Sequence, residues 1–110
     1  MKRTLSGCVF ALILLALAVP QAQASSRKQR EHGAQIFDTS GCLHCHMIGE
    51  KGATRGPNLS SVGIKMKPAA LRKQIVNGGR GMPAFGDVLE RKELDDLLAY
   101  LRSCRTKPPE

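Results

Sequence analysis

Apolar residues of this chain fall into one continuous run near its start and several helix-like stripes further on. The run covers residues 9–19 (VFALILLALAV) and follows the basic residues 1–3, and residues 22–24 (AQA) then offer the small side chains that a signal peptidase reads. The run is shorter than the roughly 20 apolar residues that a membrane-spanning helix needs. The pattern predicts a cleaved secretory signal over 1–24 and one exported domain over 25–110, with a retained anchor as the alternative.

The spacing of apolar residues after the signal predicts three helices and no strands. The helices are expected over 27–40, over 68–77, where Pro68 opens the helix without losing a needed N–H, and over 90–102. The last helix has leucines at helical spacing, which are Leu94, Leu97, Leu98 and Leu101. Residues 47–67 look irregular, and a loop of that length is uncommon in a small domain unless it wraps something.

The predicted domain has few large side chains with which to build a core. Its aromatic residues are Phe37, Phe85 and Tyr100, and the chain has no Trp. Domains this small usually need disulfides, a metal or a cofactor for stability. The composition therefore indicates a large apolar component that the amino acids do not supply.

Charge is unevenly distributed along the domain. Residues 25–86 contain ten Lys or Arg and three Asp or Glu, whereas residues 87–110 contain five and six. A basic surface around the middle of the chain, from Lys51 to Arg80, predicts docking on acidic surfaces of partner proteins. Nucleic acid is the alternative partner for excess positive charge. Export and the scarcity of aromatic residues argue against it.

Residues 42–46 read CLHCH, the chemically most informative stretch of the chain. Positions three apart on a helical turn share a face, so Cys42 and Cys45 point the same way and His46 follows beside them. Each sulfur can then add to one vinyl group of a haem while the imidazole lies under the iron, and this spacing is the signature of c-type haem attachment. We predict one covalent haem c, bonded to Cys42 and Cys45 with His46 as an iron ligand. His44 is expected to point away from the iron.

Three other uses of these residues are weaker hypotheses. A thiol–disulfide pair also uses C-x-x-C but usually lies in a βαβ context, and no strands are predicted here. A zinc site would need a fourth ligand, and the adjacency of Cys45 and His46 would strain a tetrahedral shell. A structural disulfide gives no role to His46.

The second iron ligand is predicted to be Met82. Met47 follows His46 directly and cannot reach the opposite haem face, and Met66 lies in a Lys-rich loop where it is expected to fill a gap or lie exposed. Met82 lies 36 residues after His46, on a loop that follows a helix and is stiffened by Pro83. Its alternatives are a core filler or an open sixth position. Ligation by His and Met raises the reduction potential.

The segment Gly56-Pro57-Asn58-Leu59 is the candidate support for His46. An imidazole that ligates a metal normally donates its other N–H to a carbonyl, which fixes the ring. The carbonyl of Pro57 is free to accept such a bond, and an ordinary turn proline is the alternative.

Taken together, these motifs resemble the class I cytochromes c over nearly all of residues 30–103. The matching segments are Gly33 and Phe37, CLHCH at 42–46, GPNL at 56–59, GMPAF at 81–85, and the apolar stripe of the last helix with Tyr100. The resemblance implies an all-α fold of three to four helices and long loops wrapped around one haem. It also implies that the first and last helices cross with Gly33 near Tyr100, and that the carbonyl of Pro57 receives the ring proton of His46.

Two features depart from the family pattern. The chain continues after Leu59 as SSVGIK, where the family often has Gly-Arg or an aromatic residue that touches the haem propionates. The last helix usually begins with a Ser or Thr cap, whereas this chain has Glu90, a weaker cap by side-chain type, with Glu93 three residues on.

The resemblance implies a monomeric periplasmic electron carrier, not an enzyme, that cycles between Fe(III) and Fe(II) without stable membrane insertion. A haem protein with an open sixth site, ligand-binding or peroxidase-like, is one alternative. A dedicated electron-transfer subunit of a dehydrogenase or oxidase complex is the other. Cys104 is left over, and is expected to be an unpaired thiol near a fraying terminus or to pair between chains.

Overall fold

The computed structural model describes residues 19–107, which fold mainly as helices. In chain order the elements are α1 (Val19–Thr39), a 3₁₀ turn (Cys42–His44), β1 (Met47–Ile48), β2 (Lys51–Gly52), α2 (Val62–Lys65), α3 (Pro68–Asn77) and α4 (Arg91–Ser103). Most of the predicted signal lies outside the described residues, so its cleavage after Ala24 stays a prediction. Within residues 19–107, no helix combines the length and apolar character needed to cross a membrane.

The three predicted helices are present, and the region between the first two is more ordered than predicted. The first helix begins at Val19 and ends at Thr39, and the other two lie within one residue of their predicted bounds. The expectation of no strands was wrong, because β1 and β2 form a two-stranded antiparallel hairpin with Met47 opposite Gly52. Strands of two residues are too short to show an alternating pattern. The one-turn helix α2 also interrupts the stretch predicted to be irregular.

The first and last helices cross where α1 has no side chain. A Cβ atom built on Gly33 would lie 2.0 Å from the backbone oxygen of Asp96 and 2.8 Å from Cβ of Tyr100. One turn further along α1, the ring of Phe37 packs against that of Tyr100 in an edge-on arrangement, with centroids 5.8 Å apart. The expected approach of Gly33 to Tyr100 is therefore confirmed.

The core of the described residues is small and lies between the four helices. Its buried apolar members are Ile36, Phe37, Val62, Leu71, Ile75, Leu94, Leu97, Leu98, Leu101 and Cys104. A second set of apolar residues packs against this core but stays partly accessible, and it includes Cys42, Leu43, Leu59, Val76, Met82 and Phe85. Cys42 and Leu43 of this set belong to the CLHCH turn, so part of the apolar surface of that turn stays accessible.

The start of α4 is capped by its own side chains. The carboxylate of Glu93 accepts a hydrogen bond from the backbone N–H of Glu90 at 2.9 Å, which satisfies a group that would otherwise face only water. A carboxylate in the first turn also interacts favourably with the helix dipole. The hydrogen bond from the N–H of Glu90 to the carboxylate of Glu93 thus compensates for the weak capping tendency of the glutamate side chain at position 90.

Cys104 lies in the core rather than at a frayed end. It is 9% exposed, its thiol lies 3.5 Å from the carbonyl oxygen of Tyr100, and its own carbonyl accepts the N–H of Gly63 at 2.9 Å. Thr106 is also bonded to the oxygen of Ser60, so the chain after α4 is tied down. The expected fraying was wrong, and a disulfide between chains would require the core to open because the thiol is covered.

Asp96 is a buried carboxylate at the helix crossing. It is 1% exposed, and its Oδ2 accepts hydrogen bonds from Nζ of Lys92 at 2.7 Å and Nδ1 of His32 at 2.8 Å, while its Oδ1 has no partner. The bond from Lys92, and then the bond from His32, hold the pKa of Asp96 below its ordinary value of 3.8. Because His32 belongs to α1, this carboxylate fastens the two crossing helices to each other.

Replacing Gly33 by Ala tests whether the crossing needs a residue without a side chain. The added methyl group meets backbone atoms that cannot move aside, so we expect the free energy of unfolding to fall by about 2 kcal/mol, despite the gain in helix propensity. Urea unfolding of the purified protein measures the change. The control Gln35→Ala, on the exposed side of the same helix, should stay within about 0.5 kcal/mol. Equal stability of the two variants would contradict the close crossing.

Replacing Asp96 by Asn tests the buried carboxylate through its pH dependence. A carboxyl group with a lowered pKa in the folded state contributes stability above pH 3.8, and this stability is lost as the pH falls through the folded-state pKa. We expect Asp96→Asn to cost about 2 kcal/mol at pH 7, with a difference from the unmodified protein that shrinks below pH 3.8. The exposed Asp38→Asn, as the control, should change the free energy of unfolding at pH 7 by less than about 0.5 kcal/mol. A constant cost for Asp96→Asn across this range would contradict the account.

Candidate haem-attachment site

The CLHCH segment forms a tight turn directly after α1. Gly41 adopts a left-handed backbone conformation with φ of 77°, which breaks α1 and starts the 3₁₀ turn. The carbonyl oxygen of Cys42 accepts the N–H groups of Cys45 at 3.2 Å and His46 at 2.9 Å. Cys42 opens the 3₁₀ turn and Cys45 directly follows its last residue, so the two cysteines are three positions apart around one turn, and their shared face stays a prediction. His44 is exposed.

The short hairpin and the residues that follow it contact this turn. Ala53 donates to the carbonyl of Leu43 at 3.0 Å, and Gly56 donates to the carbonyl of Cys45 at 2.7 Å. A Cβ atom on Gly52 would lie 2.0 Å from the carbonyl oxygen of His46, so a side chain there would push the hairpin away. The backbone around the two cysteines and the histidine is therefore fixed by several bonds to the following loop.

The side chain of His46 is oriented by the loop at 56–59. Its Nδ1 lies 2.8 Å from the carbonyl oxygen of Pro57, and a Cβ atom on Gly56 would come within 2.7 Å of its ring. Because a carbonyl oxygen only accepts hydrogen bonds, Nδ1 is the donor in this contact, and Nε2 is the ring nitrogen left for a metal. The predicted bond between His46 and Pro57 is present, and it leaves His46 in the state that a metal ligand requires.

Met82 lies on a loop that is fastened back onto α3. Met82 and Gly79 exchange backbone hydrogen bonds of 2.9 and 3.1 Å, and Phe85 donates to the carbonyl of Ile75 at 3.0 Å. Any Cβ on Gly78 would lie within 2.5 to 2.7 Å of backbone atoms in this loop. These contacts hold the partly buried thioether of Met82 in one place.

Gln74 is a functional candidate that sequence reasoning missed. Its Nε2 lies 3.8 Å from the sulfur of Met82 and donates to the carbonyl of Gly78 at 3.1 Å. The side chain thus bridges the end of α3 and the methionine. In the sequence, Gln74 resembles an ordinary exposed residue of its helix, and no pattern predicts this contact. The contact depends on how the following loop folds back onto α3.

The two thiols lack the features of a thiol–disulfide catalyst. Burial is the largest influence on Cys42 and raises the pKa of its thiol above the ordinary value of 9.0, whereas catalytic thiols of this class have lowered pKa values. Zinc receives no support either, since residues 19–107 contain no cluster of three or more His, Cys, Asp or Glu side chains suited to a metal ion. The site therefore fits attachment chemistry better than thiol redox chemistry or zinc binding.

The surroundings of the turn fit a large apolar group with one metal ion. The turn offers two thiols and an imidazole whose Nδ1 is bonded to Pro57, and the loop at 79–85 offers the soft thioether of Met82; these are the donors that haem c uses. Partly covered apolar side chains such as Leu43, Leu59 and Phe85 would supply contacts to such a group. Met66 instead lines a hollow beside Arg102, which agrees with the prediction that it is not a ligand.

This turn, its oriented histidine and the crossed helices define a c-type cytochrome domain, and the comparisons with known proteins agree. The family model described as "Cytochrome C oxidase, cbb3-type, subunit III" matches residues 28–101. The chain therefore belongs to the cytochrome c family. That family carries covalently attached haem c and transfers electrons.

Relatives of two kinds appear among the curated proteins. Cytochrome c6 of Thermosynechococcus vestitus is 29% identical and covers 91% of this chain, which spans 89% of its length. A cytochrome c6-like protein of Nostoc sp. is 31% identical, with 82% of this chain and 81% of its own length covered. By contrast, the chain spans only 25% of cytochrome c oxidase subunit 2 of Alkalihalophilus pseudofirmus, at 29% identity. The same domain thus occurs in small proteins and as a part of larger ones.

Proposed function

We propose that this protein is a single-haem electron carrier, with the haem bonded to Cys42 and Cys45 and its iron held between His46 and Met82. The observation that carries the proposal is the bond between His46 and the Pro57 carbonyl, which leaves Nε2 available on the ring directly after two cysteines that are three positions apart. When bound, the haem supplies a one-electron couple between Fe(III) and Fe(II). The chain has no further reaction to perform.

The protein's contribution is to keep both iron ligands in place. The Pro57 carbonyl holds the ring of His46, and the backbone bonds to Gly79 and α3 hold the loop of Met82, so these two side chains would hold the iron. Ligands that do not move between oxidation states keep the reorganisation small. A thioether is a soft, neutral ligand that favours Fe(II), so this ligand pair sets a raised reduction potential.

Positive charge steers the carrier to its partners in this proposal. From Lys51 to Arg80 the chain has seven Lys or Arg and no Asp or Glu. All seven side chains are exposed, and within residues 19–107 Arg72 alone among them forms an ion pair, with Asp95 of α4. Such a surface attracts acidic faces of redox proteins and raises the association rate, an effect that salt weakens.

The proposed location is the periplasm, after removal of residues 1–24. The basic start, the apolar run and the small residues before position 25 support export. Export also suits the attachment of haem to free thiols. The mass of the purified protein would give the cleavage position directly.

A dedicated subunit of a larger redox assembly is the second candidate. It is favoured by the long relatives, such as the nitrite reductase of Stutzerimonas stutzeri, of which this chain spans 22% at 31% identity. The near full-length match to cytochrome c6 proteins favours a freely diffusing carrier instead. Co-purification with a partner at high salt would support the subunit over the carrier.

Replacing Met82 by Ala tests the second ligand. The oxidised protein should lose the weak far-red absorption band of an iron–thioether bond, the reduced protein should gain carbon monoxide binding, and the potential should fall. The conservative control Met66→Leu should keep the band and exclude carbon monoxide. A far-red band that survives in Met82→Ala would rule out this ligand. Carbon monoxide binding to the unmodified protein would favour the open-site alternative.

Replacing Gln74 by Leu tests its contact with the methionine sulfur. The N–H of Gln74 withdraws electron density from the thioether, which disfavours Fe(III), so its loss should lower the potential. The shift should be at most about 60 mV, the equivalent of one hydrogen bond for a one-electron couple. Spectroelectrochemical titration measures it, with the exposed neighbour Lys73→Gln as the control at high salt. An unchanged potential, with the far-red band intact, would remove this role.

A further inference from the structure

Three arginines converge on one hollow that lies away from the haem-attachment site. Arg30 comes from α1, Arg102 from α4 and Arg105 from the segment after it, and the cavity that they line has a volume of about 480 Å³. Within the part of the chain that the structure describes, no acidic side chain lines this cavity. We call these three residues and the space between them the three-arginine hollow.

The backbone around the hollow is held firmly. Gly63 of α2 lies so close to α4 that a Cβ on it would be 2.2 Å from the carbonyl oxygen of Arg102. The N–H of Gly63 donates to Cys104 at 2.9 Å, and its carbonyl accepts a bond from the guanidinium of Arg105, also at 2.9 Å. Arg30 donates to the hydroxyl of Ser26 at 2.7 Å. Two of the three guanidinium groups are thus oriented before any ligand arrives.

The nearby acidic side chains do not neutralise this charge. On α1, Glu31 pairs with Arg27 at 3.5 Å. On α4, Asp95 pairs with Arg72 and Asp96 with Lys92. The guanidinium of Arg102 forms no hydrogen bond or ion pair to any residue within 19–107, so its donors are available to a ligand.

We propose that the three-arginine hollow binds a small, freely diffusing oxyanion of the phosphate class. Guanidinium groups match the oxygens of phosphate in geometry and charge, and three of them suit an ion with more than one negative charge. The side chains of Met66 and Ala99 give the cavity an apolar wall, which leaves room for an organic phosphate as well as the inorganic ion.

The hollow is separate from the haem-attachment site. Arg30 lies nine residues before Thr39, the last residue of α1, which is roughly 13.5 Å along the helix, and the CLHCH turn begins three residues beyond Thr39. The helix crossing at Gly33 lies between the two. Binding there therefore does not depend on the ligands of the iron, and its test needs no electron-transfer assay.

Calorimetric titration of the purified protein with pyrophosphate, at constant ionic strength set by sodium chloride, tests this site. We expect saturable binding of one ion, about tenfold weaker in Arg102→Gln and in Arg105→Gln. The matched control Arg91→Gln removes the same charge from the other end of α4 and should bind as the unmodified protein does. An unchanged far-ultraviolet circular dichroism spectrum in each variant confirms that the fold is kept.

Several outcomes would overturn the proposal. The first is the lack of saturable pyrophosphate binding. The second is equal pyrophosphate affinity of Arg102→Gln and Arg91→Gln. The third is a calorimetric response to added chloride that is identical to the response to pyrophosphate. Sedimentation with vesicles that contain phosphatidic acid provides a further arm. Vesicle binding that requires Arg102, without any response to free pyrophosphate or phosphate, would assign the hollow to a lipid headgroup and refute the free anion.

Discussion

The close crossing of the first and last helices at Gly33 is the contact on which the rest of the structure depends. It brings the backbone of α1 against that of α4 at Asp96 and places Phe37 on Tyr100. The end of α1 then delivers the CLHCH turn beside the helical core. Without this close approach, the CLHCH turn and the loop that carries Met82 would not be held in fixed positions relative to each other.

The loops depend on this helix crossing because the domain has few large apolar side chains to bury. The core within the described residues consists of one aromatic ring, Phe37, together with aliphatic side chains and Cys104. The turn, the hairpin and the methionine loop are held instead by backbone hydrogen bonds and by glycines at points of contact. This arrangement leaves apolar side chains partly accessible around the cysteines. A covalently bound haem would cover them and would complete the interior.

How far the sequence anticipated the structure depends on how local each feature is. The CLHCH turn, the helix from Pro68 and the leucine stripe of α4 follow from spacing alone. The contacts of Gly33 with Tyr100 and of His46 with Pro57 were anticipated because the chain resembles a known family. The contact of Gln74 with Met82 and the burial of Asp96 join elements that no local pattern relates, and they appear only once the chain is folded. The burial of Cys104 was missed for the same reason, since it depends on the tail packing against α2.

The most direct measurement of the central claim is the pyridine haemochrome spectrum of the exported protein, together with its intact mass. The account predicts the spectrum of a haem attached through two thioether bonds, and a mass equal to the polypeptide plus one haem. A protein that is compactly folded, colourless and of the mass of the polypeptide alone would contradict it.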